Sequence, residues 1–352
     1  MEYAEKQCPA APSPRASQGR AKMGPTISDA LTAGVFRGLR RLDGQAARDL
    51  RDFLASRIDR DSGLFLDRSG RPDLYYTAFG LLLDRLAGFR LADRALVRRR
   101  LAALAPLAMT LPELRAYVQT RALARAFPFG WPPSFVRGRV CRAWRKISGR
   151  RSVLADWRES RERSGTLASA CPQDNPRSPY SLFLFLALAQ DLADDPGFTS
   201  AEIRDALEAH RAADIPDAYA GAPRGAAALN ATLSALMVLR HGRWPEVRVP
   251  PSSGGGEGGI AGAIAFIQSC QLADGAFAAS PSAPEADLLS TGLALFALRQ
   301  FHAAAFFDPR PALAEFFPEG GCFTATRRPE DVESDTEYAF YGLLAMGCCE
   351  WS

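Results

Sequence analysis

The chain has 352 residues, of which 43 are basic and 39 acidic, giving a net charge of +4, and 47% are hydrophobic. A balance so even excludes a protein that holds nucleic acid by phosphate attraction, and the apolar fraction is ample for a large core. The longest strongly apolar run, SLFLFLALA at 181–189, is too short to cross a bilayer.

In chain order, residues 1–24 are polar and Pro-containing and predict a disordered tail. The tail lacks the apolar stretch of a secretory signal, and Met23 offers a second start. Residues 25–352 read as one domain. The segments 44–58, 91–104, 200–212 and 260–271 read as helical. Residues 137–163 are Arg-rich, which fits either a surface for an acidic partner or a solvated outer helix pair with Trp144 and Trp157 facing the core. Residues 249–259 (VPPSSGGGEGG) predict a loop insertion between helical units.

Three segments repeat one pattern: SGLFLDRSGRPDLYYTAFGLLL at 62–83, DGAFAASPSAPEADLLSTGLALFAL at 274–298 and GGCFTATRRPEDVESDTEYAFYGLLAM at 320–346. Each has Gly-x-Phe, a polar stretch with Pro, an Asp, and an apolar helix. Gly63, Gly275 and Gly321 suit sharp turns. Phe65, Phe277 and Phe323 can plug those turns onto the helices beneath. Asp73, Asp287 and Asp335 stand where a carboxylate caps a helix and complements its dipole. Weaker copies place further helix starts near 113, 177 and 228. Starts spaced roughly 40–65 residues apart leave room for two helices per unit. Six inner helices alternating with outer ones is the plan of a six-fold α/α barrel, so the expected class is all-α, built from helix-pair repeats.

This repeat resembles the one shared by terpenoid cyclases and the β-subunits of protein prenyltransferases, the prenyltransferase and squalene oxidase repeat of the α/α toroid. The resemblance covers roughly residues 45–350 and is clearest in the first and the last two units. It implies a toroid that binds or transforms an apolar, isoprenoid-type ligand. If the chain is an enzyme, a prenyltransferase-like or a terpenoid cyclase-like activity is implied. The alternative is a non-catalytic scaffold or protein-interaction module of the same fold, because function resides in sites grafted on folds. Partners are therefore an isoprenoid or other apolar small molecule, or a protein.

The transferases of this family hold zinc with an Asp, a Cys two residues on, and a His. Here the first motif reads Asp287-Leu288-Leu289, and Tyr338 stands where the His belongs. No metal and no cofactor is expected. The cyclases protonate their substrate from an Asp-x-Asp-Asp run. The nearest text is Asp331-Val332-Glu333-Ser334 followed by Asp335, which makes Glu333, Asp335 and Tyr338 the candidate catalytic residues. The same acids also suit a helix N-terminus. Asp73, Tyr75, Tyr76, Tyr180, Asp287, Glu337 and Tyr341 are the candidate cavity-lining residues; aromatic faces there can stabilise a cation or simply fill the core. An anionic head group such as a diphosphate is expected at the mouth, with Arg71, Arg177, Arg327 and Arg328 supplying charge. Seven Cys without a CxxC indicate a reducing, cytoplasmic setting.

Overall fold

The computed structural model describes residues 25–125, 152–242, 259–318, 322–327 and 334–349. The expected tail at 1–24, nearly all of the loop insertion at 249–259, and the 137–151 part of the Arg-rich segment lie outside them, as do Trp144, Gly321, Arg328 and Glu333. Among the described residues there are thirteen α-helices and no strand beyond isolated bridges. In chain order they are α1 (Ile27–Leu39), α2 (Gly44–Ser56), α3 (Leu74–Ala87), α4 (Arg94–Ala102), α5 (Leu111–Ala124), α6 (Val153–Arg163) and α7 (Pro179–Leu192). Then follow α8 (Ser200–Ala209), α9 (Leu229–His241), α10 (Ile260–Ser269), α11 (Leu288–Gln300), α12 (Arg310–Glu315) and α13 (Thr336–Cys348). None is long and apolar enough to cross a membrane.

Local chemistry fixes the helix starts. Asp73 accepts from the Tyr75 and Tyr76 amides, Asp287 from that of Ser290, and Asp335 from that of Tyr338, so all three repeated Asp residues are N-caps. In the weaker units the caps differ. α5 opens at Leu111, and Glu113 reaches back to the Thr110 N–H, so the expected start at 113 is the third helical position. Ser178, not Arg177, caps α7, and Ala228 precedes α9 with no side-chain cap.

α3, α5, α7, α9, α11 and α13 pack each against the next, and α13 also packs against α3. Their N-termini share one end. The first amides of α9 and α11 donate to Ala279 O and Ala325 O in the turn of the following unit. Thr336 Oγ1 at the start of α13 donates to Tyr76 O of α3 at 2.8 Å.

The Gly-x-Phe turns are built alike. Gly63 and Gly275 adopt φ of 71° and 97°, a region costly for residues with a Cβ. The Phe that follows is fully buried, and its amide donates to a Thr one turn into the helix that comes next in the chain. Phe65 N–H reaches Thr77 Oγ1 at 2.9 Å, and Phe277 N–H reaches Thr291 Oγ1 at 3.0 Å. The fourth unit hides the same device: Tyr219 N–H donates to Thr232 Oγ1 at 2.9 Å. The rings of Phe65 and Phe323 lie directly on Gly80 and Gly342, where a Cβ would collide with them.

α1 has no counterpart in the repeat. It lies against the C-terminal ends of α7 and α13, with Ile27 N–H on Gln190 of α7 and Arg37 on Gly347 O of α13. Its backbone at Gly34 comes so close to Gly347 that no side chain fits between them. Within the Arg-rich segment, α6 is amphipathic and buries Trp157, whose indole N–H donates to Met109 O at 2.7 Å.

Candidate functional site

A cavity of about 1120 Å³ is walled by residues of α1, of α6 and of α3, α5, α7, α9, α11 and α13. The wall follows one register. Counting from each cap, the second residue faces the cavity in every unit: Tyr75, Pro112, Tyr180, Asn230, Leu289 and Glu337. The fifth and sixth residues recur below them, as in Phe79, Arg115, Phe183 and Tyr341. A residue three beyond the cap is turned about 100° further round the helix. Ser28, Leu31 and Thr32 of α1 contribute from the opposite end.

Aromatic rings cluster where α3 meets α13. Phe79 lies 4.9 Å from Phe340 and 5.0 Å from Tyr75 between ring centroids. Glu337 is the carboxyl of this region. Its Oε1 accepts from Tyr75 Oη at 2.6 Å and its Oε2 from Arg68 at 3.3 Å. Arg68 also grips Asp335 at 2.6 Å and lies over the Tyr338 ring at 4.7 Å. Burial raises the proton affinity of Glu337, and the nearby Asp335 adds to this. The Tyr75 hydrogen bond and the Arg68 charge pull the other way without cancelling it. Burial likewise raises the phenols of Tyr75, Tyr180 and Tyr341, so all three are neutral donors at ordinary pH. A buried carboxyl beside a phenol, in an aromatic wall, can hold a proton and pass it to an apolar substrate, and the ring faces can stabilise a cation.

Of the predicted lining residues, Tyr75, Tyr180, Glu337 and Tyr341 stand on the wall. Asp73, Tyr76 and Asp287 do not. The two carboxylates fold back onto the amides they cap, and Tyr76 is the third residue past its cap. For the same reason Tyr338 and Asp335, expected to be catalytic, are off the wall: Asp335 caps α13 and pairs with Arg68, and Tyr338 lies one position beyond Glu337. Glu333 lies outside the described residues. The arginines expected to bring charge to the mouth are engaged elsewhere: Arg71 pairs with Asp67, Arg177 with Glu202, and Arg327 with Asp274 and Glu315.

Sequence reasoning missed Arg68 and Arg115. Arg68 sits in the polar stretch of the first unit, where no spacing singles it out. Arg115 is the fifth residue after Thr110, a position the repeat would have revealed had α5 been aligned on that cap. Among the described residues no group of three His, Cys, Asp or Glu is placed to hold a metal ion. No protein-family model matches the sequence, and no curated protein matches it.

Proposed function

We propose that the six inner helices form an α/α toroid of the terpenoid cyclase and prenyltransferase type, and that its interior binds or transforms an apolar, isoprenoid-type ligand without zinc. The observation that carries this reading is the cavity itself. It is open rather than plugged, it exceeds the roughly 300–1,000 Å³ usual for small-molecule sites, and every inner helix faces it with the same register. In this reading Glu337 takes the acid role that the sequence suggested for Glu333, because it is the carboxyl on the aromatic part of the wall. Tyr75 holds it in place, and Phe79, Phe340 and Tyr341 supply the cation-facing surface. The five described cysteines are all free and buried, in keeping with a reducing compartment.

The alternative, a scaffold that binds another protein, draws support from Phe306 and Phe307. These are 64% and 47% exposed, and the buried Gln271 side chain fixes their backbone. Native mass spectrometry of the purified full chain, followed by lipid extraction, separates the two. Near-stoichiometric apolar small molecules are expected for the toroid reading. An empty protein that takes up no isoprenoid alcohol when challenged would defeat it.

A further inference from the structure

On the cavity wall the Nε of Arg115 is buried without a hydrogen-bond partner, and the hydroxyls of Tyr180 and Tyr341, which open onto the same cavity, have no partner among the described residues. Arg115 forms no ion pair there, and its Nε is buried and unsatisfied. Its guanidinium lies 5.4 Å from the centre of the Phe183 ring. The three groups come from α5, α7 and α13 and line the same cavity. Burial and the Glu337 carboxyl raise both phenols, and the Arg115 charge acts on both in the opposite sense. Buried donors are normally satisfied, so an unsatisfied guanidinium N–H beside two phenol hydroxyls that open onto the same cavity describes the complement of an acceptor.

The charge of the wall says which acceptor. Among the described residues it carries three arginines (Arg115, Arg121, Arg125) and three carboxyls (Asp156, Asp191, Glu337). A diphosphate would bring several negative charges to a subsite with a single guanidinium. A carboxylate brings one, and its two oxygens can accept the guanidinium fork and two phenol hydroxyls at once.

We propose that Arg115, Tyr180 and Tyr341 form a head-group subsite for the carboxylate of a long-chain or polycyclic apolar acid, whose hydrocarbon fills the rest of the cavity. The proposal rests on the apolar-ligand reading above and adds the head group to it.

The test uses the full chain and three probes, oleate, oleyl alcohol and farnesyl diphosphate, titrated calorimetrically into wild type, Arg115→Gln, Arg115→Lys and the double variant Tyr180→Phe/Tyr341→Phe. Oleate is expected to bind wild type more tightly than farnesyl diphosphate. Arg115→Gln should weaken oleate by about tenfold or more while oleyl alcohol changes little. Arg115→Lys, which keeps the charge without the fork, should fall between. The double variant removes only hydroxyls and should weaken oleate several-fold; it keeps the test alive if circular dichroism shows that Arg115→Gln does not fold. Equal losses for oleate and oleyl alcohol, or tighter binding of the diphosphate, overturn the subsite while leaving the apolar cavity standing. If wild type binds none of the probes, the apolar-ligand reading falls, and the subsite with it.

Discussion

The Arg68–Asp335 pair separates a cap from a charge. Asp335 is wholly buried, with one oxygen on the Tyr338 amide and the other on Arg68, whose side chain is 41% exposed. In Asp335→Asn the amide oxygen still caps α13, and Arg68 keeps Glu337 or turns to water. The cost should be about 1 kcal/mol. In Arg68→Met the Asp335 carboxylate stays buried beside Glu337 with a single backbone donor. Stranding a buried charge costs about 3–5 kcal/mol. The exposure of Arg68 means that water already screens the pair, which brings the loss below that range, to about 2–3 kcal/mol. In a chain of this size that corresponds to a fall in Tm of several degrees, against about two for the Asn variant. Guanidinium unfolding followed by circular dichroism reads both, with the difference expected in the midpoint and not in the slope. If Asp335→Asn proves as costly as Arg68→Met, the asymmetry between the buried and the exposed partner is not what governs this site, and the argument fails.

Other expectations follow from the same geometry. Thr291→Val leaves the buried Phe277 N–H without its acceptor and should cost about 1–3 kcal/mol; Thr291→Ser should restore most of it in the same unfolding assay. Gly342→Ala drives a methyl into the Phe323 ring and should cost about 1–3 kcal/mol by overpacking, read as a lowered Tm. Glu337 binds its proton more tightly folded than unfolded, so its contribution to stability is fullest below the ordinary carboxylate range and is lost as pH rises through the raised value. Glu337→Gln lacks that loss. Melting curves from about pH 4 to about pH 8 should therefore shift in favour of the variant as pH rises, by about 1.4 kcal/mol per unit of elevation. A gap independent of pH would show that burial does not govern Glu337.

The sequence carried the repeat because turn chemistry is local. A left-handed Gly, a plugging Phe and a capping Asp each leave a residue type at a fixed offset, and the helices at 44–56, 200–209 and 260–269 fall close to where they were expected. The middle units were harder because different atoms do the same work there. Thr110 and Ser178 replace Asp, Ala228 offers no cap at all, and Tyr219 replaces Phe in a turn without the Gly. α1 escaped notice because it belongs to no unit, although its close contact with α13 through Gly34 and Gly347 sets one end of the cavity.

The site was half legible for a geometric reason. Tyr75 and Tyr76 are equally aromatic, and Glu337 and Tyr338 equally suited to chemistry, so composition cannot rank them. One step along a helix is about 100° of rotation, and that step decides which of each pair meets the cavity. The cap is the origin from which the angle is measured. Once Asp73, Thr110, Ser178, Ala228, Asp287 and Asp335 are set as equivalent, the second residue of every unit falls on the wall, and Tyr75, Tyr180 and Glu337 separate from Tyr76 and Tyr338 without further information. Arg115 emerges from the same alignment at the fifth position, in register with Phe183 and Phe340. A cation in a ring of otherwise apolar equivalents is the feature that the repeat does not require, and a residue the fold does not need is the place to look for what the ligand does need.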